Sequence, residues 1–112
     1  MHFRYRAIGE QRAGSTVTVS LRGSSANVRL LDEANFRSYQ RGLPHAYAGR
    51  FARRSPVRIT IPHNGRWYVV ADLGGYKGSV RITDVEVSPS TDGVGEPEGQ
   101  HVVVGPAPSR LR

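Results

Sequence analysis

The chain has 112 residues, sixteen lysines and arginines against nine aspartates and glutamates, a formal net charge of +7 and no cysteine. That length suits one domain with one core, and the lack of cysteine excludes disulfides and thiolate chemistry. The basic start, Met1-His2-Phe3-Arg4-Tyr5-Arg6, leads into no apolar stretch of the signal-peptide kind. The densest apolar run, from Trp67 to Ala71, is far too short to span a bilayer. A cytoplasmic protein with no membrane partner is expected.

Period-two alternation, the mark of half-buried strands, recurs along the chain. Phe3 and Tyr5 alternate with Arg4 and Arg6. Val17, Val19 and Leu21 alternate with Thr16, Thr18, Ser20 and Arg22. Val28 and Leu30 alternate with Asn27 and Arg29. One helix follows. Asp32 is its N-cap, Glu33 and Arg37 pair at i,i+4, Phe36 and Tyr39 share a face, and Gly42 stands at the C-terminal cap position. Residues 43–55 show no alternation and are rich in Gly, Arg and aromatics, so they are expected to form a long loop.

Val57, Ile59 and Ile61 alternate with Arg58 and Thr60. Asn64-Gly65 then suits a type I′ turn, so residues 57–63 and 66–73 are predicted to pair as a hairpin. Residues 67–71 are apolar on both parities, as in a strand covered on both faces. Val80 and Ile82 lie on one parity, Val85 and Val87 on the other. That one-residue slip predicts a β-bulge near Thr83-Asp84, returning both pairs to the core face. Beyond Ser88 the composition turns to Pro, Gly and acid. Val102-Val103-Val104 has strand-forming residues, but Gly105-Pro106-Ala107-Pro108 follows at once. The expected organisation is a β-sandwich domain over 1–88 and a flexible C-terminal tail or linker over 89–112. The fold class is mainly β: a compact antiparallel β-sandwich, or a partly closed barrel, of six to seven strands with one short helix.

Two stretches, 27–45 and 55–80, resemble a bacterial family catalogued as domain of unknown function 1883. The first contains Asp32-Glu-Ala-Asn-Phe-Arg-Ser-Tyr39 and the second Pro62-His-Asn-Gly-Arg-Trp-Tyr68 and Asp72-Leu-Gly-Gly-Tyr-Lys-Gly78. The resemblance covers about residues 1–87. It implies a small β-sandwich, relatives that carry the domain beside a TIR domain (a signalling or NAD-cleaving module), and a recognition or adaptor role. It implies no catalytic residues. A looser likeness, in strand pattern only, links the chain to the pre-peptidase C-terminal sandwich domains, which are accessory binding modules.

The charge is concentrated in the body. Fourteen of the sixteen cations and six of the nine carboxylates lie in residues 1–88, and Lys77 is the single lysine. Arg50, Arg53, Arg54, Arg58 and Arg66 are interleaved with Tyr47, Phe51 and Trp67. Guanidinium groups beside aromatic faces suit phosphates, carboxylates or stacked bases, although arginines over rings also merely solvate a β surface. The Gly-rich run 73–78 with Lys77 could cradle an anion through its amides, or be a tight turn.

His2, His45, His63 and His101 are too widely spaced for a zinc site. No Gly-x-Ser-x-Gly or Ser-x-x-Lys motif is present. No metal, cofactor or catalytic residue is therefore expected. Asp72 shares parity with Tyr68 and Val70, which calls for an arginine partner, with orientation of His63 as its alternative role.

These observations point to a non-catalytic recognition module binding a protein or small anionic ligand. Its expected surface comprises the 43–55 segment, the 62–66 turn and the 73–78 loop. Arg53, Arg54, Arg58 and Lys77 supply charge, Tyr47, Trp67 and Tyr76 contact area, and His63 a polar edge. One alternative is a sequence-tolerant nucleic-acid binder reading phosphates. Another is a small hydrolase using His45 and His63. A further one is self-association through strand edges.

Overall fold

The computed structural model of the chain describes residues 3–89 and, as backbone, 102–105. Eight strands and one helix follow in the order β1 (Phe3–Gln11), β2 (Thr16–Gly23), β3 (Ala26–Asp32), α1 (Glu33–Gln40), β4 (His45–Ala52), β5 (Val57–Thr60), β6 (Gly65–Asp72), β7 (Val80–Ser88) and β8 (Val102–Gly105). They form two antiparallel sheets, ordered β1-β6-β3-β4-β8 and β5-β2-β7. The architecture is a β-sandwich with α1 laid on the outer face of the larger sheet.

The core follows from the alternation. Val17, Val19, Val57 and Ile59 of the small sheet face Val28, Leu30, Trp67, Val69 and Ala71 of the large one. On the other side of the large sheet, Leu31 and Val70 pack under Phe36 and Tyr39 of α1. Strand β6 is thus covered on both faces, as its apolar composition requires. Asp32 caps α1 as expected: its Oδ1 accepts the Asn35 amide at 2.9 Å. Gly42, at φ +72°, takes the left-handed conformation that stops the helix.

The bulge in β7 is present. Ser20 pairs with Asp84 and Leu21 with Ile82, leaving Thr83 as the extra residue, so Val85 and Val87 rejoin the core. A second bulge in β1 inserts Ile8 between Ala7 and Gly9, with Gly9 at φ +71°.

Two expectations are corrected. Residues 45–52 form a strand, not a loop. Its inward residues are mostly alanine, Ala48 and Ala52, which leave no aliphatic period in the sequence. Gly49 permits close approach to β3, since a Cβ there would strike the Val28 carbonyl oxygen.

The Asn64-Gly65 hairpin is absent. β5 pairs with β2, while β6 pairs with β1 and β3 in the opposite sheet. Gly65 has no left-handed φ, and the Asn64 Oδ1 instead accepts the Ala13 amide at 2.8 Å, tying the β5–β6 connection to the β1–β2 turn.

Arg29 does not face solvent. It is buried, because α1 covers that face of β3. The tail expected over 89–112 lies outside the described residues except at Pro89 and at 102–105, where the backbone adds β8 to the edge of β4.

Candidate functional site

The chain leaves the large sheet at Ala52 and enters the small one at Val57. That crossing must pass round the edge of the sandwich, so residues 53–56 stand outside the core. The Leu21 amide donates to Ser55 Oγ at 2.7 Å and anchors the crossing to β2. Arg50 reaches past the edge, and its Nη2 donates to the Arg58 carbonyl oxygen at 3.3 Å. Around this corner Arg50, Phe51, Arg53, Arg54, Pro56 and Arg58 line an open depression of about 480 Å³. The Arg53 Cζ lies 5.9 Å from the Phe51 ring, and Phe51 is 54% exposed.

Among the described residues no carboxylate lines the depression or pairs with Arg53, Arg54 or Arg58. Like charges gathered in this way maintain a positive potential there. Planar guanidinium forks match phosphate and carboxylate oxygens in pairs.

The other expected site residues are distributed differently. Tyr76 (72% exposed) and Lys77 sit in the 73–78 turn. That turn follows Asp72, which pairs with Asn27; the neighbouring Ala26 pairs with Ala52. Both loops therefore occupy one end of the sandwich. His63 is at the opposite end, where its Nε2 is 3.3 Å from Asp32 Oδ2. Trp67 is buried in the core and donates its Nε1–H to the His63 carbonyl oxygen at 3.1 Å, so it supplies no contact surface. Tyr47 lies on the outer face of β4 with its ring 4.5 Å from the Arg29 Cζ. Of the expected site residues, Arg53, Arg54 and Arg58 come together, with Tyr76 and Lys77 at the same end. Arg50 and Phe51, which complete the depression, were legible only as neighbours in sequence.

The Gly-rich turn already holds an anion, but it is the protein's own. The Gly74 amide donates to Asp72 Oδ1 at 2.9 Å. Asp72 is fully buried and also accepts from Arg29 Nε at 3.0 Å, the Tyr39 hydroxyl at 2.7 Å and Asn27 Nδ2 at 3.0 Å. Burial alone would raise its pKa. The Arg29 charge and the hydrogen bonds outweigh that and hold the carboxyl below its ordinary value. Burial, reinforced by the Asp72 charge, pushes the Tyr39 phenol up. The expected arginine partner of Asp72 is thus Arg29, and His63 is elsewhere.

His45 is buried against the edge of Tyr39, with ring centroids 5.2 Å apart. Its Nδ1 donates to the Leu43 carbonyl oxygen at 2.9 Å, and among the described residues its buried Nε2 has no hydrogen-bond partner. Burial lowers its pKa, and the nearby Arg29 charge adds to that. Among the described residues His45 and His63 share no hydrogen bond or ring contact. No group of three or more metal-ligating side chains occurs among the described residues, and no helix there is long and apolar enough to cross a membrane.

A family model described as "Domain of unknown function (DUF1883)" matches residues 1–90. The chain belongs to this family. The DUF1883 match spans β1 to β7 with α1 and includes the arginine-lined corner; β8 falls beyond it. No curated protein and no solved structure matches the chain.

Proposed function

We propose that this DUF1883 domain is a non-catalytic recognition module that holds an anionic partner, a protein or a small ligand, at the β4–β5 corner. The supporting observation is the open depression where Arg53, Arg54 and Arg58 gather beside the exposed Phe51 with no carboxylate among its lining residues. The arginines would bind the anion's oxygens in pairs, and Phe51 would add apolar contact at the rim. The hydrolase alternative gains nothing from the two imidazoles, which have separate partners and unequal exposure.

The test is fluorescence anisotropy with single-stranded DNA, duplex DNA, RNA and a polyglutamate peptide, at low and physiological salt. Loss of two arginine contacts should weaken the preferred probe by about tenfold or more in Arg53→Ala/Arg54→Ala. Preference for a nucleic acid, with a steep salt dependence, would assign the corner to phosphate backbones. Equal binding by the double variant, or no binding of any probe, would remove the corner as the site.

A further inference from the structure

The sheet edges of this domain are not protected alike. An exposed strand edge invites pairing with another chain, and proteins blunt it with charges, proline or brevity. β1 carries Arg4, Arg6 and Glu10; β5 has only four residues, one of them Arg58; β7 carries Arg81, Asp84 and Glu86. The start of β4 reads His45-Ala46-Tyr47-Ala48-Gly49, with no charged side chain of the Lys, Arg, Asp or Glu kind and no proline. This is the edge that β8 covers, with His45 opposite Gly105, Ala46 opposite Val104, Tyr47 opposite Val103 and Ala48 opposite Val102. The covering strand lies outside the family match, which ends at residue 90. The family domain by itself therefore ends its larger sheet on an unguarded edge.

We propose that the β4 edge is a strand-acceptor site for an extended peptide, and that residues 102–105 are its built-in, displaceable occupant. The occupant indicates the partner's chemistry: a short β-branched apolar run that pairs antiparallel through its backbone. The register adds a second feature. A strand continuing N-terminal of the paired run passes Gly49 and Arg50 and heads for Arg53 and Arg54. A fitting partner therefore carries carboxylates just before its apolar run. This chain's own sequence does so, with Glu96 and Glu98 ahead of Val102. The acidic preference rests on the proposed role of the arginine corner; the strand pairing does not.

The test uses the full chain and a fluorescein-labelled peptide of residues 95–108. In a strand, successive N–H groups point to opposite sides, so Val103→Pro/Val104→Pro must remove one that faces β4. A tethered competitor acts at roughly millimolar effective concentration, so the variant should bind the peptide about tenfold more tightly than the unaltered chain. The Ala46 amide is held by Asn35 Oδ1 on the other side of β4, so hydrogen exchange should show the His45 and Tyr47 amides, which face β8, losing protection in the variant and regaining it with peptide. Equal affinity in the two proteins, or unchanged protection of those amides, overturns the proposal. A Glu96→Gln/Glu98→Gln peptide should bind more weakly, and more so at low salt. If it binds as well as the acidic one, the arginine preference falls while the strand pairing is judged on the proline variant alone.

Discussion

The Tyr39 hydroxyl donates to Asp72 Oδ2 at 2.7 Å, and through that bond α1 is fastened to β6, an interior strand of the larger sheet. Arg29 Nε meets the same oxygen at 3.0 Å. A carboxylate with no solvent contact is tolerable only because every approach to it is a donor. Its donors come from β3, α1 and the turn that follows β6, so it ties the end of β6 to two other elements.

Removing one side of this pair leaves the other buried and uncompensated. Arg29→Met is expected to destabilise the domain by about 3–5 kcal/mol, and Asp72→Asn by a comparable amount. Urea unfolding measures both. The double variant should lose less than the sum, because neither charge is then stranded.

Stability should fall with acidification in two stages. His45 is held below its ordinary value of 6.5, so under that pH the unfolded chain takes up a proton that the folded one refuses. Its contribution is complete above 6.5 and declines as pH falls toward the depressed folded value. Asp72 acts in the same direction at lower pH: its contribution is present above its ordinary 3.8 and is lost as pH falls through the lowered folded value. Urea midpoints between about pH 8 and 5 should decline in the unaltered protein and less in His45→Phe.

Trp67 should report on folding and not on binding. It is the chain's single tryptophan and is buried. Its emission should be blue-shifted in the folded protein and barely altered by an anionic probe at the corner. Trp67→Phe removes the donor to the His63 carbonyl oxygen and is expected to cost about 1–3 kcal/mol, with probe affinity retained.

Gly49→Ala tests the β3–β4 approach. Its Cβ would strike the backbone of Val28 and Arg29, and backbone cannot move aside as a flexible side chain can. A loss of about 1–3 kcal/mol is expected in urea unfolding. By contrast, Arg53→Ala/Arg54→Ala removes only exposed side chains, and stability should change by less than about 0.5 kcal/mol.

How much of this was legible in the sequence can be judged residue by residue. The inward faces of β2, β3, β5 and β6, the capped helix, the Thr83 bulge and the interior place of 67–71 could all be read, because each is written in local period and cap chemistry. The arginines of the corner are contiguous enough to be named together before any fold was known. β4 escaped because alanine and glycine carry little periodic signal.

What the sequence by itself determined was which residues turn inward along each strand, since side-chain alternation is a property of the chain alone. Partners are not such a property. Asn64-Gly65 has the composition of a hairpin turn, yet β5 and β6 part into opposite sheets, and Asn64 serves another turn. Arg29 alternates like a solvent-facing residue, and only the packing of α1 makes it the buried mate of Asp72. Tertiary structure decided these points because pairing and burial are energies between segments distant in sequence, and no local pattern records which distant segment will arrive.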